Sequence, residues 1–253
     1  MGQFTDPVNG DLGRPRRIDM NASWALKAYT LFDTLLWIAC LNLLWLVFTL
    51  GGLVIFGVGP STVAAHELIR CRVRGDAVPL MPAFWGAYRR NFRRGNVLGV
   101  VAIFVAAMLF ANWKFFSVEP TFLAQLAAGV IVLLSIIFVA TLCYLFPMYA
   151  RYQLPVLRYF TQSSRFALRN LAGTVLLLLV TAAVGIVSLR LPGLVPFFSV
   201  GVWMFLVGWL CDKFYSSNDE SMADVSVGAT LEKRGPRALA TVRKSQVKVA
   251  NLG

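Results

Sequence analysis

Very few side chains in this sequence could carry chemistry, and the best candidates lie around its first long apolar stretch. His66 and Glu67 are adjacent, and Asp33 and Asn42 precede them in mostly apolar surroundings. Ionisable groups at membrane depth often mark functional sites. We therefore predict that Asp33, Asn42, His66 and Glu67 converge if the first two apolar segments pack together. The alternative is an ordinary hydrogen-bonding pair between helices.

The sequence offers few residues that could bind a metal ion or act as a nucleophile. The sequence contains one histidine, whereas a zinc site needs three or four ligands. The cysteines, Cys40, Cys71, Cys143 and Cys211, lack metal-like spacing and lie within or at the ends of apolar stretches, where a free cysteine behaves as a small hydrophobe. The Gly57–Gly59 segment lacks the rest of a nucleotide-binding fingerprint. We predict no metal, no cofactor and no enzymatic activity.

The composition is that of a membrane protein. Hydrophobic residues make up 58% of the 253 residues and charged residues only 14%, against about a quarter charged in soluble proteins. The formal net charge is +12. Because the basic residues flank apolar stretches, anionic lipid headgroups are their expected counter-charge, and nucleic acid is not an expected partner.

The positive charges predict the topology. Lysine and arginine fall in blocks separated by nearly charge-free stretches, and cytoplasmic loops carry an excess of both residues. An all-α fold with about six transmembrane helices places every lysine and arginine except Lys114 and Arg190 on one side. The predicted spans are about 30–50, 60–74, 96–116, 121–147, 170–190 and 194–214. Both termini would then be cytoplasmic in a bacterial inner membrane.

Three parts of the chain follow from this arrangement. Residues 1–27 are predicted to be a cytoplasmic tail, 28–215 the membrane domain, and 216–253 a basic, disordered cytoplasmic tail. Within the membrane domain, the apolar run from Leu31 to Ile69 is too long for one span. Helix-breaking residues interrupt it at 51–59 and start a second helix, so this segment is predicted to be an external turn or a re-entrant piece. They are Gly51, Gly52, Gly57, Gly59 and Pro60.

Two segments are predicted to be amphipathic helices on the cytoplasmic membrane surface. In residues 82–94 and 156–169, apolar side chains share one face of a helical wheel and arginines occupy the rest. Both simple membrane anchoring and docking of a partner's cytoplasmic domain fit this pattern. The candidate lipid or partner contacts are Trp85, Arg89, Arg90, Arg93, Arg94, Arg158, Arg165 and Arg169.

Several phrases of the sequence resemble the YesL family of bacterial integral membrane proteins. The most distinctive phrase is GGLVIFGVGPSTVAA at 51–65, in which Ser61 stands where many members have alanine. The others are NLLWL at 42–46, the basic stretch 70–75, Phe84-Trp85, NFRRGN at 91–96 and FPMYARY at 146–152. Together they cover about residues 28–213.

The resemblance implies a role beside carbohydrate ABC transporters, because members tend to be encoded next to their components and to sensor kinases. It supplies no catalytic residues. We therefore expect a non-catalytic accessory or regulatory protein for carbohydrate uptake, with permease or ATPase subunits as expected partners. A stand-alone small-solute transporter or channel is one alternative, and a membrane sensor or scaffold is another.

Overall fold

The computed structural model describes residues 20–233, and within that part of the chain all regular structure is helical. Seven long helices follow one another: α1 (Met20–Gly51), α2 (Ile55–Arg74), α3 (Leu80–Val118), α4 (Phe122–Arg151), α5 (Val156–Arg169), α6 (Leu171–Arg190) and α7 (Val200–Lys233). A 3-10 turn (Pro192–Leu194) and a π-helical turn (Val195–Ser199) join α6 to α7.

The centre of the bundle is α2, which contacts α1, α3, α4 and α7. Every residue from Gly59 through His66 is buried. One buried cluster joins α2 to α1 and α3 through Leu41, Ala65 and Phe84. A second cluster, around Tyr144 and Tyr215, joins α4 to α5, α6 and α7. The helix α2 is therefore enclosed by four helices whose sequences are more apolar than its own.

A tight turn over residues 52–54 connects α1 to α2, so the predicted break at 51–59 is shorter than expected. Leu53 and Val54 have positive φ angles of 56° and 63°, which are strained for residues with a side chain and most of all for the β-branched Val54. Gly57, Gly59 and Pro60 belong to α2 rather than to the turn. Gly57 is buried where the hairpin closes, since a Cβ there would lie 2.3 Å from the carbonyl oxygen of Thr49, and Gly59 and Pro60 are buried against α3.

The backbones of α2 and α3 touch at three glycines. A Cβ on Gly59 would lie 2.1 Å from the carbonyl oxygen of Gly95, and one on Gly99 would lie 2.7 Å from the Cα of Gly59. Gly95 and Gly99 are spaced as in the GxxxG motif, by which membrane helices approach closely. The spacing fixes where α2 lies along α3.

Five stretches are long and apolar enough to cross a membrane: Leu26–Gly51, Leu80–Val118, Phe122–Arg151, Leu171–Arg190 and Pro192–Asp219. They correspond to five of the six predicted spans. The remaining predicted span, 60–74, forms most of α2, which is not among them. His66, Glu67 and three arginines in its second half reduce its mean hydropathy.

The amphipathic segment 82–94 is not a separate helix on the membrane surface, which corrects the prediction for it. It is the first half of the continuous helix α3, and much of its aromatic face packs against protein. Phe84 is fully buried, and the ring centroid of Phe48 from α1 lies 5.1 Å from those of both Phe84 and Tyr88. The sequence period identifies an amphipathic helix, but the partner of its apolar face is the α1–α2 hairpin.

The second amphipathic segment is a helix of its own, α5. It packs against the end of α4 through Tyr159, Ser163 and Ala167, which are buried, whereas Leu168 is exposed. Val156 and Phe160, which belong to the predicted apolar face, are partly buried against the same core. At the other end of the chain, α7 continues to Lys233, so residues 216–233 of the predicted disordered tail are helical. Residues 1–19 and 234–253 lie outside the described part of the chain.

Enlarging a glycine at the α2–α3 contact should destabilise the bundle. In Gly59→Leu the new side chain meets backbone, which no rotamer change can avoid, so we expect a loss of about 1–3 kcal/mol or more. For a chain of this size that is a fall in Tm of roughly 5–10 °C. Thermal unfolding of the detergent-purified protein measures it.

Gly129→Leu is the matched control, since nothing lies within 4 Å of a Cβ at this position in α4. Its Tm should stay unchanged or rise, because leucine is a better helix former than glycine. An equal fall in both variants would show that the α2–α3 contact is not special.

Candidate functional site

Two of the four predicted cluster residues join α1 to other helices at separate places. Asp33 forms an ion pair with Arg72 of α2. Asn42 is buried and ties α1 to the start of α7: its Nδ2 donates to the carbonyl oxygens of Val195 (3.3 Å) and Pro196 (2.5 Å), and its Oδ1 accepts from the backbone N–H of Gly201 at 2.7 Å. Both contacts hold the bundle together.

The other two residues, although adjacent, also have different partners. His66 is buried and stacks on Phe146 of α4, with 6.2 Å between ring centroids, and its Nδ1 has no hydrogen-bond partner in the described structure. Glu67 accepts from Arg90 Nη2 at 2.5 Å and from Asn91 Nδ2 at 2.8 Å. The predicted cluster of four is therefore four separate contacts, and only Glu67 faces a sizeable cavity.

That cavity has a volume of about 790 Å³ and is lined by parts of α2, α3, α4, α5 and the α4–α5 loop. We call it the arginine cavity. Glu67 is its one acidic lining residue. The basic lining residues are Arg70, Arg89, Arg90, Arg93, Arg94 and Arg151.

Helix geometry explains how these arginines come together. Arg89, Arg90, Arg93 and Arg94 recur at helical spacing, so they form one basic side on the first half of α3. The glycine contact sets α2 alongside this half, which brings Glu67 against Arg90. Arg70 then reaches α4, where its Nη1 donates to the carbonyl oxygen of Ala150 at 2.6 Å.

Only part of the positive charge is compensated by carboxylates. Arg90 pairs with Glu67, and Arg151, whose side chain is only 13% exposed, pairs at 2.8 Å with both Asp212 and Asp219 of α7. Among the described residues, the other four lining arginines form no ion pair: Arg70, Arg89, Arg93 and Arg94. The arginine cavity therefore carries an excess of positive charge.

Arg70 is unusual in one further respect. Its Nε is buried and has no hydrogen-bond partner in the described structure. A buried donor without an acceptor costs about 1–3 kcal/mol, so this guanidinium is held in place at some expense to stability.

Tyrosines hold the walls of the arginine cavity. The hydroxyl of Tyr149 donates to Asn91 Oδ1 at 3.0 Å, and that of Tyr159 donates to the carbonyl oxygen of Tyr152 at 2.7 Å. The hydroxyl of Tyr152 donates to Asp219 at 2.8 Å. Burial raises the pKa of Tyr152 to about 12, and the bond to Asp219 acts in the same direction, so this phenol keeps its proton.

Only some of the predicted lipid or partner contact residues line the arginine cavity. The four arginines of α3 line the cavity, whereas Trp85 lies outside it, half exposed, with the guanidinium of Arg89 5.5 Å above its ring. The three arginines of α5 are exposed and do not line the cavity: Arg158, Arg165 and Arg169.

The sequence interpretation missed Arg70, Arg151 and the three tyrosines as members of one site. Arg70 and Arg151 are far apart in the sequence, and no pattern links them. The one available signal is that each lies in the C-terminal part of its helix, α2 or α4, where basic residues are concentrated.

A second cavity of about 570 Å³ is an open groove between helices and has a mostly apolar lining. It is bordered by α1, α2, α3, α4, α6, the π-helical turn and α7, with Trp45, Phe146, Trp203 and Met204 among its walls. Among the described residues, no group of three or more His, Cys, Asp or Glu side chains could hold a metal ion.

Buried helix contacts, apolar helices of membrane-spanning length and a basic cavity at the ends of several helices define a multi-pass helical membrane protein. The chain belongs to the YesL-type family, whose family description is "Protein of unknown function, DUF624" and which matches residues 38–113. The resemblance read from the sequence phrases is thus confirmed.

Relatives from Bacillus subtilis (strain 168) match most of the chain. It is 35% identical to the uncharacterized protein YesV over 162 residues, which are 64% of this chain and 78% of YesV. It is 32% identical to the uncharacterized protein YteU over 197 residues, or 77% and 82% of the two chains. It is 28% identical to the uncharacterized protein YesL over 186 residues, or 72% and 87%. No solved structure matches the chain significantly.

Replacing Asn42 should show that it is structural. In Asn42→Leu the buried N–H of Gly201 and two carbonyl groups lose their partner, so we expect a loss of about 1–3 kcal/mol and a Tm lower by about 5 °C. The control is Asn112→Leu, since Asn112 is exposed and donates only to Met108 of its own helix. Equal Tm values for the two variants would contradict this role.

Proposed function

We propose that the chain is a non-catalytic accessory protein of the bacterial cytoplasmic membrane, which recognises an anionic group on its cytoplasmic side through the arginine cavity. One observation carries the proposal: four arginines without an ion pair surround one cavity. Unpaired guanidinium groups that converge from two helices, α2 and α3, favour a negatively charged ligand.

The expected partner is a carbohydrate ABC transporter, through its permease or ATPase subunit. The support for this partner is the membership of the YesL-type family, together with the position of the cavity. Arg72, Arg90 and Arg151 form their ion pairs at ends of helices where the loops carry most of the positive charge. By the positive-inside bias that end is cytoplasmic, where an ATPase subunit is accessible.

A stand-alone transporter is the second candidate, and the apolar groove of about 570 Å³ between the helices is the observation that favours it. Its mostly apolar lining suits an apolar solute better than a sugar. Solute flux into proteoliposomes that contain only this chain would favour the transporter over the accessory protein. A sensor or scaffold remains the third candidate, and it would show neither flux nor a bound transporter subunit.

The proposed topology is tested by reporters inserted in two loops. A fluorescent reporter at Gly75, between α2 and α3, should be active, and an alkaline phosphatase reporter at the same site inactive, because that loop is cytoplasmic. The reverse is expected at Pro120, between α3 and α4. Phosphatase activity at Gly75 would contradict the cytoplasmic placement of this loop. The test is the same whether α1 and α2 both cross the bilayer or together form a re-entrant hairpin, because Gly75 is cytoplasmic in both cases.

The partner is tested by capture from native membranes in a mild detergent. The wild-type chain should retain permease or ATPase subunits, and Arg89→Glu/Arg93→Glu should lose most of them, since the change reverses two unpaired charges of the arginine cavity. The matched control is Arg158→Glu/Arg165→Glu, which makes the same charge change on the exposed surface of α5. Equal losses would assign capture to net charge, and no capture by the wild-type chain would overturn the accessory role.

A further inference from the structure

We propose that the arginine cavity binds a phosphate ester with a net negative charge, supplied by an anionic lipid headgroup or by a soluble phosphorylated small molecule. The inference rests on the anion recognition proposed above and specifies the chemistry of the anion.

The number of free guanidinium groups favours phosphate over a single carboxylate. A guanidinium group carries five N–H donors in a planar fork, of which Arg70 uses one on Ala150 and Arg94 bonds to Tyr149. No carboxylate of the described structure forms an ion pair with either of them or with Arg89 or Arg93. A carboxylate offers two oxygens and one charge. A phosphate monoester offers three terminal oxygens and up to two charges. A lipid phosphodiester carries one charge but adds its ester oxygens as acceptors, and the fork geometry of arginine suits both.

Arg70 is the anchor of the site. It lies on the enclosed helix α2, and its Nη1 is fixed from behind by the carbonyl oxygen of Ala150. Among the described residues no carboxylate lies within ion-pair distance of this guanidinium, so its charge is available to a ligand. Arg151 stands beside it but is bound by Asp212 and Asp219, so it positions α4 and α7 rather than the ligand.

The volume and position of the cavity limit the size of the ligand and its depth relative to the membrane surface. About 790 Å³ lies within the range of small-molecule sites and leaves room for the group esterified to the phosphate. Phe92 and Tyr159 supply apolar wall surface beside the arginines. The cavity adjoins the arginine-rich ends of apolar helices, where lipid headgroups and solutes from water are both within reach.

The soluble source is tested by calorimetric titration of the purified full chain in an uncharged detergent. Glycerol 3-phosphate is the probe and glycerol is its uncharged control. If the ligand is soluble, the phosphate ester binds and glycerol does not, and added salt weakens the binding because the contacts are charge-assisted.

The lipid source is tested by native mass spectrometry of the chain after exchange into nanodiscs of phosphatidylglycerol or of zwitterionic phosphatidylcholine. If the ligand is a lipid headgroup, a small fixed number of phosphatidylglycerol molecules stays bound after release from the disc. Phosphatidylcholine, which carries no net charge, is lost.

Substitutions of single arginines test whether the phosphate ester binds in the arginine cavity. Arg70→Gln should weaken it by about tenfold or more, since a hydrogen bond to a charged group is lost. Because Arg70 also contacts the backbone of Ala150, Arg94→Gln provides a second variant, at a residue that forms no ion pair in the described structure and bonds in α4 to the side chain of Tyr149. The charge-matched control, Arg165→Gln on the exposed side of α5, should bind as the wild-type chain does.

Two results would overturn the proposal: binding of neither probe by the wild-type chain, or equal weakening in Arg94→Gln and Arg165→Gln. The outcome is separable from the transporter partnership. Phosphate binding without subunit capture would uphold this site and refute the accessory role. Subunit capture that depends on Arg89 and Arg93, with no phosphate binding, would instead assign the cavity to carboxylates of the partner.

Discussion

The backbone contact of α2 with α3 is the constraint on which the rest of the structure depends. Membrane helices gain little from the hydrophobic effect when they associate, because lipid is as apolar as their side chains, and close packing must replace it. Gly59, Gly95 and Gly99 allow that approach. The contact fixes α2 along the first half of α3, and the positions of Glu67 and Arg70 relative to the α3 arginines follow from it. A change at a glycine therefore alters the cavity without touching any arginine.

The enclosure of α2 also explains how a polar helix is tolerated among apolar ones. Ionisable groups are costly in lipid unless they are paired or face water. Here Arg72 meets Asp33, Glu67 meets Arg90 and Asn91, and Arg70 reaches a carbonyl group and an open cavity. The apolar first half of α2 faces the cores of its neighbours. The helix is thus divided along its length into a packing half and a charged half.

Much of this arrangement was accessible from the sequence. Apolar runs and basic blocks predict all the apolar helices, and the period of residues 82–94 predicts their arginine side, because both depend on local composition. Contacts between distant segments were not accessible. Nothing local reveals that Asn42 caps the start of α7, that Phe48 covers the aromatic face of α3, or that Arg70 and Arg151 join one cavity. The turn at Leu53 and Val54 was missed for another reason: the glycines beside it serve close packing, and the residues with positive φ are not glycine.

The difference between Arg151 and Arg70 bears most directly on function. Arg151 has two carboxylates and is nearly buried, so it is satisfied within the fold and holds α4 to α7. Arg70 has a carbonyl group and an unpaired Nε, yet both line the same cavity. If the positive charge served only to attract the membrane surface, exposed arginines such as those of α5 would suffice. Placing an unpaired guanidinium on the most enclosed helix costs stability, and binding an anion in the cavity would offset that cost.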